Sequence, residues 1–238
     1  MVYQNDGHRD GGASVGILML DSSFPRIPGD GGNAATWPFP VLLKTISGAS
    51  PEHAVLRGVG GLAGAFVDGA RELVRAGVAG ITTSCGFLVL FQAELAEAAG
   101  VPVATSSLMQ VPAVQALLPP GKRVGILTIS AASLTPAHLA AAGVPADTPI
   151  GDTAPGGREF ARVILGDEPA LDVDLARKDL LDGARALVAA YPEIGSLVLE
   201  CTNMAPYSAD IAAELGMPVY DFYSFVTWFQ AGLRPRRF

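Results

Sequence analysis

Hydrophobic residues fall along this chain in two arrangements: short unbroken apolar runs, and longer stretches in which apolar positions return every three to four residues. The runs at 15–20 and 124–129 are bounded by polar residues, the pattern of strands buried on both faces of a parallel sheet. Between 61 and 76 the spacing of Leu62, Phe66, Ala70, Leu73 and Val74 predicts a helix, which Gly77 stops, and 78–83 predicts a strand running into Cys85. The same order returns later, with a helix over 178–190, a break at Pro192 and a strand over 196–200 leading into Cys201. After each cysteine a further helix is predicted, over 90–99 and 208–215, closed by Gly100 and Gly216 in the C-cap role ahead of Val-Pro-Val and Met-Pro-Val. Strand, cysteine-bearing turn, helix and strand make a βαβ unit. Its recurrence predicts doubly wound parallel sheets, which bind ligands beyond the carboxyl ends of their strands.

The recurrence is also literal. At the 116-residue offset between Cys85 and Cys201, Ala93, Ala96, Gly100, Pro102 and Val103 fall on Ala209, Ala212, Gly216, Pro218 and Val219. Val15-Gly16-Ile17-Leu18 returns as Val124-Gly125-Ile126-Leu127 at an offset of 109. A repeat of about a hundred residues is too long for a solenoid unit. It predicts an α/β fold of two similar doubly wound parallel-sheet lobes related by a pseudo-twofold axis, with the active site in the cleft between them. The expected division is 15–108 plus 219–238 for lobe 1, carrying Cys85, and 109–218 for lobe 2, carrying Cys201, behind a flexible extension at 1–14. Residues 21–40 interrupt the pattern with Pro25, Pro28, Gly29, Gly31, Gly32, Pro38 and Pro40, so they cannot be helix or central strand throughout. Their place after the first strand marks a candidate active-site loop.

Composition narrows the classes. With 50% hydrophobic and 16% charged residues and a net charge of −7, the chain is expected to be a compact, cytoplasmic protein with a real core. Nucleic acid is an unexpected partner, because the only basic cluster is the terminal Arg234, Arg236 and Arg237, which reads as a solvated end. A membrane is equally unexpected, since no eighteen residues run apolar without interruption. Two cysteines make no disulfide framework, and His8, His53 and His138 show no zinc-ligand spacing, so the thiols are expected to be free and no metal is implied.

A single cysteine in such a protein is more often a small buried hydrophobe than a catalyst. Two at matched positions of a repeat, each at a strand's carboxyl end beside hydroxyl residues, are harder to explain as independent packing choices. A thiolate can be nucleophile, metal ligand, redox partner or general base. Paired thiols facing one cleft suit inversion at a carbon centre, one removing a proton from one face and the other returning a proton to the opposite face.

Ser84-Cys85-Gly86 after an apolar strand, Glu200-Cys201-Thr202-Asn203-Met204, and Gly16-Ile17-Leu18 leading to Asp21-Ser22 resemble the aspartate/glutamate racemase superfamily, which includes hydantoin racemases. The resemblance spans nearly the whole chain from Val15. It implies a cofactor-independent enzyme of two α/β lobes acting on a small-molecule carboxylate, as a racemase or epimerase of amino acids or hydantoin-like compounds. Cys85 and Cys201 would be its acid/base pair, Asp21 and Ser22 would lie beside the first cysteine, and Thr202 would help to hold the substrate carboxylate. Gly86 and Phe87 stand where glutamate racemases have Asn-Thr, and Asn203 where they have His, which implies a less polar pocket and a different substrate. The 21–40 loop, with Arg26, Asp30, Asn33 and Thr36, is a candidate for setting specificity, although Arg26 itself reads rather as a solvated surface residue. Helix-start N–H groups with Ser84, Ser106 and Thr202 are expected to stabilise the developing dianion, although each hydroxyl equally suits a strand-end or N-cap bond. Lys44, Lys122 and Lys178 lie outside the repeated site segments, so pyridoxal phosphate is not implied. Superfamily relatives with one thiol decarboxylate or isomerise double bonds. A one-thiol enzyme, a binding protein, a redox switch between the cysteines and a homodimeric assembly therefore stay open.

Overall fold

A computed structural model describes residues 13–153 and 158–237. Residues 1–12 of the expected extension lie outside the described residues. In chain order the elements are β1 (Val15–Leu20), β2 (Val41–Ile46), α1 (Ala63–Arg75), β3 (Gly80–Thr83), α2 (Gln92–Ala99), β4 (Val103–Ala104) and α3 (Val111–Leu117). There follow β5 (Arg123–Thr128), α4 (Pro136–Ala141), β6 (Ile150–Asp152), α5 (Phe160–Gly166), α6 (Val173–Ala190), β7 (Ile194–Leu199), α7 (Ser208–Leu215), β8 (Val219–Tyr220) and α8 (Phe222–Leu233).

The strands form two four-stranded sheets, ordered β2-β1-β3-β4 and β6-β5-β7-β8, and every pairing is parallel. The identical orders are the repeat made physical. β3 and β7 each end two residues before a cysteine, each cysteine starts a 3₁₀ segment (Gly86–Phe91 and Thr202–Tyr207), and each segment runs into a helix ended by a left-handed glycine. Gly100 and Gly216 hold φ of 64° and 62°, a conformation costly for any residue with a Cβ, which explains why both halves keep glycine there.

β1 is buried on both faces, and its side chains divide by period two. Leu18 and Leu20 join the larger core, which runs through both lobes, whereas Val15, Ile17 and Met19 form a second cluster with Trp37, Phe222, Phe225 and Val226. This second cluster corrects the expected lobe division. Val219–Tyr220 pairs with β7 and stays in the second sheet, so only the chain from Phe222 onward returns to lobe 1. A second difference concerns α6, which starts at Val173, five residues before the expected 178. Asp172 caps it by accepting from the N–H groups of Asp174 and Leu175 at 3.0 Å each. No helix among the described residues is long and apolar enough to cross a membrane.

Candidate active site

The parallel sheets of both lobes end at a shared cavity, and both cysteines line it as free thiols, each about 8% exposed. Its polar wall is Cys85, Cys201, Ser84, Asn203, Glu200 and Arg26, and its apolar wall includes Leu20, Phe24, Phe87, Ile129 and Ile164. The closed cavity has about 20 Å³ of free volume, room for a single water. Lobe 1 and lobe 2 are stitched beside it by backbone-directed bonds: Thr202 Oγ1 donates to the Ser84 carbonyl at 2.7 Å, and Ser107 Oγ donates to the carbonyls of Leu199 at 2.7 Å and Glu200 at 3.0 Å.

The 21–40 segment closes the cavity from outside. Asp30, 2% exposed, accepts from Arg26 Nη1 at 3.0 Å and from Asn203 Nδ2 at 2.5 Å, so one buried carboxylate ties the loop to the residue after Thr202. Asn203 in turn accepts from Cys201 Sγ at 3.4 Å. A further tie comes from lobe 2, where Asp167 Oδ1 accepts from the N–H groups of Ser23 and Phe24. Arg26 is ion-paired with its side chain only 15% exposed. The surface role expected for it is thereby corrected: the acidic partner nine-tenths buried beneath the loop draws the guanidinium inward.

Of the other expected residues, Ser84, Gly86, Phe87 and Asn203 line the cavity, whereas Thr202 is not part of its lining and donates its hydroxyl to the Ser84 carbonyl. Ser106 is buried and caps the next turn by accepting from Leu108 N at 3.2 Å. Ser22, Asn33 and Thr36 are bonded within the loop, to Arg26 Nη2, to the Arg26 carbonyl and to the Asp30 carbonyl respectively. Asp21 does not reach the cavity. It is exposed, and its Oδ2 accepts from Gly48 N at 3.0 Å, securing the turn after β2.

Sequence reasoning passed over Glu200, and it named Asp30 only among the polar residues of the loop, without its tie to Asn203. The signal for Glu200 was available, namely an acid closing an apolar strand that the fold buries. Its carboxyl is 1% exposed, with Oε2 accepting from Thr128 Oγ1 at 2.8 Å and Oε1 without a partner among the described residues. Burial pushes it up to about 7, partly opposed by the Thr128 hydroxyl. Burial, reinforced by the Glu200 charge, likewise pushes the Cys85 thiol up to about 12, against the lowering pull of the Phe87 and Leu88 N–H groups and Arg26. The same two causes, burial first, raise Cys201 well above the usual thiol range, and the N–H of Asn203 opposes them. Burial therefore favours the thiol form at both sulfurs.

No family model matches the chain. It is 28% identical over 226 residues to a dimethylsulfoniopropionate lyase of Durusdinium sp. clade D, a match that covers 88% of this chain and 71% of that protein. It is 32% identical over 229 residues to dimethylsulfoniopropionate lyase 6 of Emiliania huxleyi, covering 87% of this chain but 56% of the relative's length. Among solved structures, a Gly74Cys mutant of arylmalonate decarboxylase superposes with a TM-score of 0.62 at 19% identity, covering 93% of this chain and 96% of that one. Allantoin racemase from Klebsiella pneumoniae gives 0.63 at 18%, covering 92% and 87%, and glutamate racemase from Francisella tularensis gives 0.52 at 14%, covering 95% and 85%. These likenesses establish the fold, one shared with arylmalonate decarboxylase, allantoin racemase and glutamate racemase, in line with the two-lobed α/β fold expected from the sequence.

Proposed function

We propose that this chain is a cofactor-independent enzyme that moves a proton at a carbon next to a carboxylate, and that its reaction is the elimination of a sulfonium group from a substrate such as dimethylsulfoniopropionate. The observation that carries the general reading is the convergence of both thiols, Arg26 and Glu200 on one small cavity. The lyase assignment draws on the similarity to dimethylsulfoniopropionate lyases over nearly nine-tenths of the chain.

In this reading the loop opens, the substrate carboxylate approaches Arg26, and its α-carbon comes to rest between the sulfurs. One cysteine, as thiolate, takes the α-proton. The electrons of the broken C–H bond form the Cα–Cβ double bond, and those of the Cβ–S bond leave with sulfur as neutral dimethyl sulfide, giving acrylate. The thiol formed then returns its proton to solvent when the loop reopens. N–H groups of the 3₁₀ segments after each cysteine support the dianionic character that the carboxylate gains as the proton leaves, a contribution of roughly 3 kcal/mol per well-placed donor.

A second reading, racemisation or epimerisation of an amino acid or hydantoin-like carboxylate, is favoured by the matched placement of two thiols rather than one. Incubating the protein in deuterated water with dimethylsulfoniopropionate and with single-enantiomer amino acids and hydantoins separates the two by NMR. Elimination gives acrylate and dimethyl sulfide, whereas racemisation gives α-deuterium with inversion and no elimination. Cys85→Ser and Cys201→Ser sharpen the distinction. Elimination needs one base, so one variant should lose at least about 10³-fold in kcat and the other much less, while racemisation fails in both. If both variants turned over every substrate normally, thiol chemistry would be wrong.

A further inference from the structure

The pseudo-twofold axis relates Ser84 to Glu200 and Gly86 to Thr202, since each pair is separated by the 116 residues of the repeat. In one half, Thr202 reaches the carbonyl of Ser84. In the other half the equivalent space is empty of side chain, because residue 86 is glycine, and the Glu200 carboxyl fills it. A Cβ placed on Gly86 would stand 2.8 Å from the Glu200 carbonyl and would collide with Oε1. The symmetry of the fold is thus broken by one acid, held by Thr128 on one oxygen and left unpartnered on the other, in the wall of the cavity. A buried carboxylate oxygen with no partner is costly unless something fills its place. Around it are the two thiols, Phe87 and Ile129, which offer no positive charge, and the cation of the cavity, Arg26, is already paired with Asp30.

We propose that Glu200 receives the positively charged end of the substrate, so that the site selects compact zwitterions whose onium group sits against Glu200 and Phe87 while the carboxylate lies toward Arg26. The assignment rests on the elimination reading and gives it a specificity-determining residue. Methylated sulfonium or ammonium suits this corner, because its methyl groups need no hydrogen bonds, the aromatic face of Phe87 attracts the charge, and the carboxylate neutralises it. To the extent that Glu200 is ionised, an onium beside it also offsets the charge that, after burial, raises both thiols.

Two unreactive isosteres of dimethylsulfoniopropionate test this: 3-(dimethylammonio)propanoate, which keeps the charge, and 4-methylpentanoate, which keeps the shape and loses it. Calorimetry or competition kinetics on the intact protein should show the cation bound about 10²-fold more tightly than the neutral isostere. In Glu200→Gln, which keeps the volume and an acceptor for Thr128, that preference should fall to a few-fold through lost affinity for the cation alone. A wild-type measurement covers the case in which the variant does not fold. Near pH 7 cation binding should release a fraction of a proton, detectable across buffers of different ionisation enthalpy, as Glu200 ionises, whereas 4-methylpentanoate should release none. The groups facing Glu200 are Cys85, Cys201 and Thr128, with the Arg26–Asp30 pair closing the cavity; Glu200 is pushed up to about 7 and both thiols are raised above their usual range. Equal affinity for both isosteres, or a preference that survives in Glu200→Gln, overturns the assignment. Elimination without the preference would sink only the role of Glu200. A Glu200-dependent preference without elimination would sink only the lyase reading.

Discussion

At the scale of single residues, Glu200 carries a consequence independent of substrate. Its folded carboxyl sits at about 7, above the ordinary range near 4.5 that it has when the chain is unfolded. Between those limits the folded state holds the proton more tightly than the unfolded one, so stability falls as pH rises through the window and levels off above it. The buried group sets the scale, on the order of 3 kcal/mol over the whole window. Thermal unfolding of the wild-type protein should therefore move to lower temperature between about pH 5 and pH 8, and Glu200→Gln should flatten this part of the profile and melt higher at pH 8. Burial holds His138 below its usual value of 6.5, so up to that pH its contribution runs the opposite way, stability rising with pH, while Cys85, raised to about 12, acts only in strong base. Because His138 is the same in both proteins, the difference between wild type and Glu200→Gln isolates the carboxyl. An unchanged slope in Glu200→Gln would mean that the carboxyl is hydrated and not sealed.

At the scale of elements, legibility followed the locality of the signal. Strands β1, β3, β5 and β7 and helices α1, α2 and α7 were readable, since each is an apolar run or a helical stripe ended by its own glycine. Helix α8 was not, because Phe222, Tyr223, Phe225, Val226, Trp228 and Phe229 are apolar on several faces and only the return to lobe 1 decides which are covered. The two cysteines were legible from the repeat, but Arg26 and Asp30 were not, because a four-residue spacing in a Gly/Pro-rich loop says nothing about the Asn203 amide on the other lobe that fixes both. The loop is consequently the element to perturb. Asp30→Ala leaves Arg26 and Asn203 without their shared acceptor and should loosen the closed state, raising KM by about 10 to 10²-fold with little change in melting temperature, and exposing residues 24–39 to limited proteolysis. Asp21→Asn keeps an acceptor for Gly48 N at an exposed position away from the thiols, and its kinetics should stay within about two-fold of wild type. A large loss in Asp21→Asn would return that residue to the chemistry.

At the scale of the whole molecule, the lobes are two in topology and one in energetics. The chain crosses between them after β4 and again after β8, so α3 packs against β5 of the second sheet while α8 packs on the first. Cross-lobe bonds sit at both crossings, from Ser107 to Leu199 and Glu200 and from Gln110 Nε2 to the Asp221 carbonyl at 3.0 Å. The larger core also runs through both sheets without a break. A cavity whose two sulfurs come from different lobes needs this coupling, because reacting atoms displaced by an ångström lose much of the advantage of positioning. Phe222, fully buried against Trp37 at the second crossing, tests the coupling, since it belongs to the cluster on the first sheet while its helix also packs on the segment after Cys201. Phe222→Ala should cost about 3–5 kcal/mol. It should lower the protection of β5 and β7 amides from hydrogen exchange as much as that of β1 and β3, in a single unfolding transition. Retained protection in the second sheet alongside a destabilised first sheet would show that the lobes unfold separately, and the thiols would then be held together by the closing loop rather than by the fold.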